Sequence, residues 1–374
     1  MMDRRRFAVV AASAMVLPSL RAQTSRDIVI GQSAQLTGPF RAYCLEMLAG
    51  AALVFEQANR EGGVQGRRLR LVSLDDAYDV KKTEANTNSL IDEHGAVSLF
   101  LYGGTPTSLA AAKIAEQRQV PFVAPSTGSD ALRRLGGRYV FNLRASYGDE
   151  LASSVKHIAS IGLRKVAVVY LNNPFGQGGL EAIEQAAKHH SVELVAKLPM
   201  TLEGADAQQV ARALAQNPAS AVLLVTAGRS GPMFINAYTD QGRKAIYYMM
   251  STTSNVMLRD ELGERAKGVI VSQVVPSPWH PTSEVVRSFR QAAAAAGLQE
   301  YSFAQMEGYI AARVLVDALR RSAAPIGRES LMAALESTRR KDLGGYTVEF
   351  SPSKRNSGEF VDLMILGSNG KFQR

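Results

Sequence analysis

Short apolar runs alternate with amphipathic helical runs from residue 27 onward. That alternation restricts the chain to a parallel, doubly wound α/β arrangement. Ile28-Val29-Ile30 reads as a strand stopping at Gly31, and apolar residues 45, 48, 52 and 55 then recur at helical spacing up to Gly62-Gly63. Strands are expected at 69–74, 97–101 and 120–123, with helices at 82–94 and 109–117 between them. The rhythm restarts with helix 151–161, strand 166–171, helix 180–189 and strand 192–198. Segments 207–216, 221–225, 233–241 and 246–250 continue it. Two successive units predict two similar lobes, which suits 374 residues, too many for one ordinary core. Beyond the proline-rich stretch 276–281, helices are expected at 283–296, 303–321 and 328–336, and strands at 344–350 and 360–366. Periodicity does not assign these last elements to either lobe.

Two strand ends stand out. The run Val97–Leu101 ends in Tyr102-Gly103-Gly104-Thr105-Pro106, and Val120–Val123 ends, after Ala124-Pro125, in Ser126-Thr127-Gly128. Ligands of open α/β sheets bind at such strand ends, and helix N-termini there favour anions. Thr105 is expected to cap the helix, with Pro106 at its first position. A plain capping turn explains either loop alone; the pair suits a small carboxylate.

The first 22 residues have the layout of a secretory signal. Arg4-Arg5-Arg6 is a basic n-region, Phe7–Leu20 an apolar stretch broken by Pro18, and Leu20-Arg21-Ala22 a cleavage site. The apolar stretch is too short to span a bilayer, which argues against an uncleaved anchor. Arg4-Arg5-Arg6-Phe7 fits a twin-arginine signal as well as an ordinary one. Removing residues 1–22, with four Arg and one Asp, lowers the formal charge from +9 to +6. The remaining cations are scattered, and nucleic-acid binding needs a stripe or a module that is not visible. The single cysteine, Cys44, forms no internal disulfide and reads as a buried, inert thiol.

Motifs of catalysis fail in detail. Phe175-Gly176-Gln177-Gly178-Gly179 follows a strand, but a dinucleotide fingerprint needs glycine at 181, where Glu181 stands. Phe175 reads better as an apolar ligand contact at the lip of a crevice. Gly228-Arg229-Ser230-Gly231-Pro232 lacks the last glycine of a nucleophile elbow. The five histidines show no metal spacing, and the adjacent pair His189-His190 suits a solvated helix end. No Walker A sequence is present. Asp75-Asp76 sits at a strand end and is expected to cap the following turn. No catalytic residue, metal or cofactor is expected.

The ordered set of short motifs resembles the leucine/isoleucine/valine-binding type of periplasmic solute-binding protein, which serves bacterial ABC importers. Its carriers are Gly31–Pro39, Gly50-Ala51, Asn59–Gly66, Asp75-Asp76, Val120–Pro125, Phe175–Gly178, Glu307-Gly308-Tyr309 and Gly345–Phe350. The resemblance implies the type I fold, two lobes joined by a three-segment hinge, with ligand trapped between them. It implies residues 27–144 plus 277–343 for the N-terminal lobe and 145–276 plus 344–374 for the C-terminal lobe. It also implies a periplasmic location, permease and ATPase partners in the inner membrane, and a monomer.

The resemblance carries site residues over position by position. Thr105 corresponds to the hydroxyl that holds the ligand carboxylate, with Gly104 beside it. Ser126 corresponds to a backbone contact. Gly128 stands where amino-acid binders often have threonine, so that bond is missing unless Thr127 substitutes. Tyr43 and Phe175 correspond to aromatics over the pocket, and Tyr102 and Tyr147 are further ligand-contact candidates that join them in favouring an aromatic guest. Ala227 or Gly228 replaces a tyrosine of the second lobe. Ser251 replaces the acid that pairs with a ligand ammonium. The carboxylate half of the site is kept and the ammonium half lost, which points to a small carboxylate without an α-amino group, an aromatic acid for choice. If another acid such as Glu150 stands in, an amino acid fits. An exported ligand sensor is the alternative of a different class.

Overall fold

The computed structural model describes residues 27–374 except 39, 136, 368–371 and 374. The signal at 1–22 lies outside the described residues. The first α/β unit runs β1 (Ile28–Ala34), α1 (Arg41–Arg60), β2 (Leu69–Asp75), α2 (Val80–Asp92), β3 (Ser98–Phe100), α3 (Thr105–Arg118), β4 (Phe122–Val123), α4 (Asp130–Arg134) and β5 (Val140–Phe141). Its sheet has the order β2-β1-β3-β4-β5 and is parallel throughout.

The second unit runs α5 (Tyr147–Ser160), β6 (Lys165–Leu171), α6 (Pro174–His189), β7 (Glu193–Met200), α7 (Ala207–Gln216), β8 (Ala221–Val225), α8 (Ser230–Asp240), β9 (Ile246–Met249), α9 (Asn255–Leu262) and β10 (Ile270–Gln273). These strands repeat the first arrangement as β7-β6-β8-β9-β10. The chain then supplies α10 (Glu284–Ala295), α11 (Phe303–Arg321), α12 (Arg328–Glu336), the two-residue strands β11 (Lys341–Asp342) and β12 (Thr347–Val348), and finally β13 (Asp362–Leu366) and β14 (Phe372–Gln373). Helix α11 packs along α1 beside the first sheet, whereas β13 and β14 join the second sheet in antiparallel pairing. The chain therefore passes between the sheets three times.

Local chemistry accounts for most of these elements. All five residues of β8 are buried, as expected of a central parallel strand covered on both faces. Helices α5 and α11 each open with a capping box, Ser146 with Asp149 and Ser302 with Gln305. Of the strand expected at 344–350 only β12 forms. Gly344 and Gly345 take φ of 90° and 101°, and Asp342 Oδ1 accepts both their N–H groups, so the segment turns tightly between β11 and β12. Among the described residues no helix is long and apolar enough to cross a membrane.

Candidate ligand-binding site

In a sheet of order 2-1-3-4-5 the strand order reverses between the first and third strands, and ligands bind beyond the carboxyl ends there. In the first sheet that point lies between β1 and β3, directly before Thr105. In the second it lies between β6 and β8, directly before Phe175 and Ala227. Thr105 therefore stands at one switch point, and Phe175 and Ala227 at the other.

The carboxylate end is built from two loops laced together. Ser126 N–H donates to Tyr102 O at 2.8 Å, and Gly104 N–H donates to Ser126 O at 3.3 Å. Thr105 was expected to cap α3, but Gly104 takes that place with φ of 93°, and it contributes no side-chain cap. Freed from capping, Thr105 Oγ1 lies 2.8 Å from Thr127 Oγ1, and both residues are buried. The first-turn N–H groups of a helix have no partner within it, so this corner pairs hydroxyls with amide donors. The two loops also leave no room at position 128. A Cβ on Gly128 would stand 2.6 Å from Tyr147 Cδ1 and 2.7 Å from Tyr147 N. A threonine side chain does not fit there, and the neighbouring hydroxyl is that of Thr127.

Aromatic side chains come from both units. Tyr147 and Phe175 meet edge to face at 5.1 Å. On the opposite side Phe40 stacks on Tyr78 at 5.2 Å and meets Tyr43 edge-on at 6.5 Å. A cavity of about 560 Å³ opens between the units beside Thr105, Tyr147 and Phe175 and runs along α6 past Arg134, Glu181 and His189; Tyr43, Ser126, Thr127 and Ser251 do not line it. That volume suits a small ligand. Tyr102 does not belong to this set. Its ring packs on Phe122 at 5.0 Å and its hydroxyl reaches Thr87 at 3.3 Å, in a separate core on the other face of the first sheet. The strand-end reading failed for Tyr102 because successive residues point to opposite faces. Ala227 and Gly228 form the turn before α8, where Ser230 Oγ donates to Ala227 O at 2.7 Å.

Position 251 is occupied by a charge network that the sequence did not suggest. Arg144, directly after β5, donates to Ser251 Oγ, and its Nη2 lies 3.2 Å from Glu150 Oε1. The other nitrogen, Nη1, lies 3.5 Å from both Glu307 Oε1 and Tyr43 Oη. Tyr43 Oη in turn donates to Glu307 at 2.9 Å. The guanidinium also stands 5.7 Å from the Tyr147 ring centroid. Burial opposes the arginine charge, but Glu307, then Tyr43 and Glu150, hold its pKa well above the usual value. Burial raises the Glu307 carboxyl, against the pull of Arg144. Glu150 is entirely engaged: its Oε2 accepts from Ser272 Oγ at 2.6 Å and from Ser251 N–H at 3.1 Å.

A second acid was also missed. Glu46 of α1 accepts from Ser254 Oγ at 2.5 Å, across the gap between the units, and its Oε2 is buried without a partner. Burial raises its pKa, opposed by the hydroxyls of Ser254 and Ser302. Asp75 and Asp76 brace the turn after β2, as expected. Cys44 is buried and free, its pKa pushed up by burial to about 12. No cluster of potential metal ligands occurs among the described residues.

Residues 27–364 match a family model described as periplasmic binding protein. The chain is similar to the Leu/Ile/Val-binding protein of Escherichia coli strain K12, at 22% identity over 254 residues, covering 67% of this chain and 68% of that one. A shorter match, to an amino acid binding protein of Pseudomonas aeruginosa, is 22% identical over 175 residues. It covers 46% of this chain and about half, 47%, of that relative's length. A solved structure of a possible leucine/isoleucine/valine-binding protein from Rhodopirellula baltica SH 1 superposes with a TM-score of 0.86 at 27% identity, covering 93% of this chain and 96% of that one.

Proposed function

The chain belongs to the periplasmic binding protein family, in its type I Leu/Ile/Val-binding class, and we propose that it captures a small carboxylate between its two lobes and delivers it to an ABC permease and ATPase. The family is one of binding proteins, so no chemical step is assigned. The mature chain works as a periplasmic monomer after loss of residues 1–22. Its lobes are 27–144 with 277–343 and 145–276 with 344–374.

The ligand carries a carboxylate and no ammonium, and an aromatic acid suits it best. The observation that carries this reading is the state of Glu150. The acid nearest position 251 is consumed by Arg144, Ser272 and the Ser251 amide. An ammonium left there would be buried without a partner, at a cost of several kcal/mol. The Thr105 and Thr127 hydroxyls and the N-terminus of α3 receive the carboxylate, and Tyr43, Tyr147 and Phe175 cover an apolar ring. Titration calorimetry of benzoate and of leucine tests this. Benzoate should bind and leucine should not; tight leucine binding with no response to benzoate overturns it.

One observation favours an amino acid instead. The Oε2 of Glu46 is buried without a hydrogen-bond partner where α1 meets Ser254 of the second unit, and a ligand ammonium seated there would pair with it. On that reading Glu46→Gln abolishes leucine binding. On the carboxylate reading it leaves benzoate affinity at neutral pH within a few-fold.

A further inference from the structure

The turn between β2 and α2 is held in a conformation that capping alone does not require. Ala77 and Tyr78 adopt φ of 48° and 66°, in the left-handed region that side-chain-bearing residues rarely enter. Asp75 Oδ1 accepts from Ala77 N–H at 3.0 Å, and Asp76 Oδ1 accepts from Tyr78 N–H at 2.9 Å. Asp76 is itself pinned by Ser33 Oγ at 2.7 Å and Thr83 Oγ1 at 3.1 Å. Two carboxylates and two hydroxyls thus maintain a strained pair of residues.

What the strain achieves is the placement of one ring. Tyr78 stacks on Phe40 and lies flat against the backbone that leads into α3. A Cβ on Gly104 would sit 2.2 Å from Tyr78 Cε2 and 3.1 Å from Cζ, so only glycine admits the ring there, and the phenol oxygen projects from that same Cζ. The hydroxyl is buried and has no hydrogen-bond partner. Such an orphan is uncommon and costly in a folded protein. Burial raises its pKa, and Tyr147, Cys44 and Asp76 add to the shift, so it stays a protonated donor.

We propose that Tyr78 is a ligand-binding residue whose hydroxyl donates to the carboxylate seated at the N-terminus of α3, beside Thr105. The inference rests on the carboxylate reading for its acceptor, and it adds a donor just beyond the Asp75-Asp76 motif that the motif itself does not include. The strained turn is the device that brings this donor to the first sheet's switch point. A phenol is a neutral donor, so it strengthens anion binding without placing a cation in the cleft.

Tyr78→Phe tests the idea, because it removes one oxygen and keeps the ring, the stack and the backbone. Calorimetry with benzoate and with the neutral isostere benzamide, and thermal unfolding, are measured on the full mature chain. The expected result is a tenfold to hundredfold weaker benzoate affinity, about the loss for a charge-assisted bond. Benzamide should change less, and the unfolding midpoint should not fall. Unchanged benzoate affinity overturns the inference, as does an equal loss for both probes. If the wild-type chain binds leucine and no benzoate, the carboxylate-only reading has failed. Leucine then serves as the probe, since it too presents a carboxylate, and unaltered leucine affinity in Tyr78→Phe overturns the inference separately.

Discussion

Arg144 Nη2 lies 3.2 Å from Glu150 Oε1, and both side chains are sealed from water. The pair is also the junction between the two units, since Arg144 continues to Tyr43 and Glu307 on the helices of the first. Removing one member strands charge in the interior. Arg144→Met should lower unfolding free energy by roughly 3–5 kcal/mol. The double variant Arg144→Met, Glu150→Gln should recover part of the loss. Urea denaturation of the three proteins measures both effects.

Thr105 and Thr127 share one hydrogen bond and, in the proposed function, one anionic guest. Thr105→Ala should weaken benzoate binding by roughly 1.5–3 kcal/mol, the value of a bond to a charged group. Because Thr127 loses its partner as well, the double alanine variant should cost less than the sum of the single changes. Calorimetric dissociation constants for the four proteins give the coupling.

Gly128 faces Tyr147 so closely that a side chain must displace it. Gly128→Thr should therefore not create an amino-acid site. It should destabilise the fold by about 1–3 kcal/mol through overpacking and abolish benzoate binding. Thermal unfolding and calorimetry check both outcomes; a stable variant that gains leucine binding contradicts the geometry.

Closure buries Glu46 against Ser254, and burial raises its pKa. A raised carboxyl pKa means that the closed form holds its proton more tightly than an open form does. Closure is then favoured below the lower, open-form pKa and disfavoured as pH rises through the raised one. Benzoate affinity should tighten as pH falls through the raised Glu46 pKa. Glu46→Gln should flatten that slope, as read from dissociation constants across the range.

The rhythm of elements was legible because each carries its own periodicity. The bounds of α7, α11, α12 and β8 coincide with the sequence expectation. Strand β5, only Val140–Phe141, is too short to show alternation, and α9 and β10 lie where the pattern had faded. The hydroxyl corner was legible because strand ends and helix starts are local signals. Arg144, Glu46 and Tyr78 were not. Tyr43 meets Glu307 across 264 residues of sequence, and no local pattern reports such a pairing. The one available hint was an arginine placed between the apolar pair Val140–Phe141 and the capping Ser146.

The packing of α11 along α1 sets a schedule for biosynthesis. The amino-terminal half emerges first, yet one flank of its interior is supplied by residues 303–321. Until those last segments arrive, Tyr43 and Met47 have no surface to cover them. A chain that still lacks residues 303–321 is missing one flank of its first unit, so that unit completes itself only when nearly the whole polypeptide has been made.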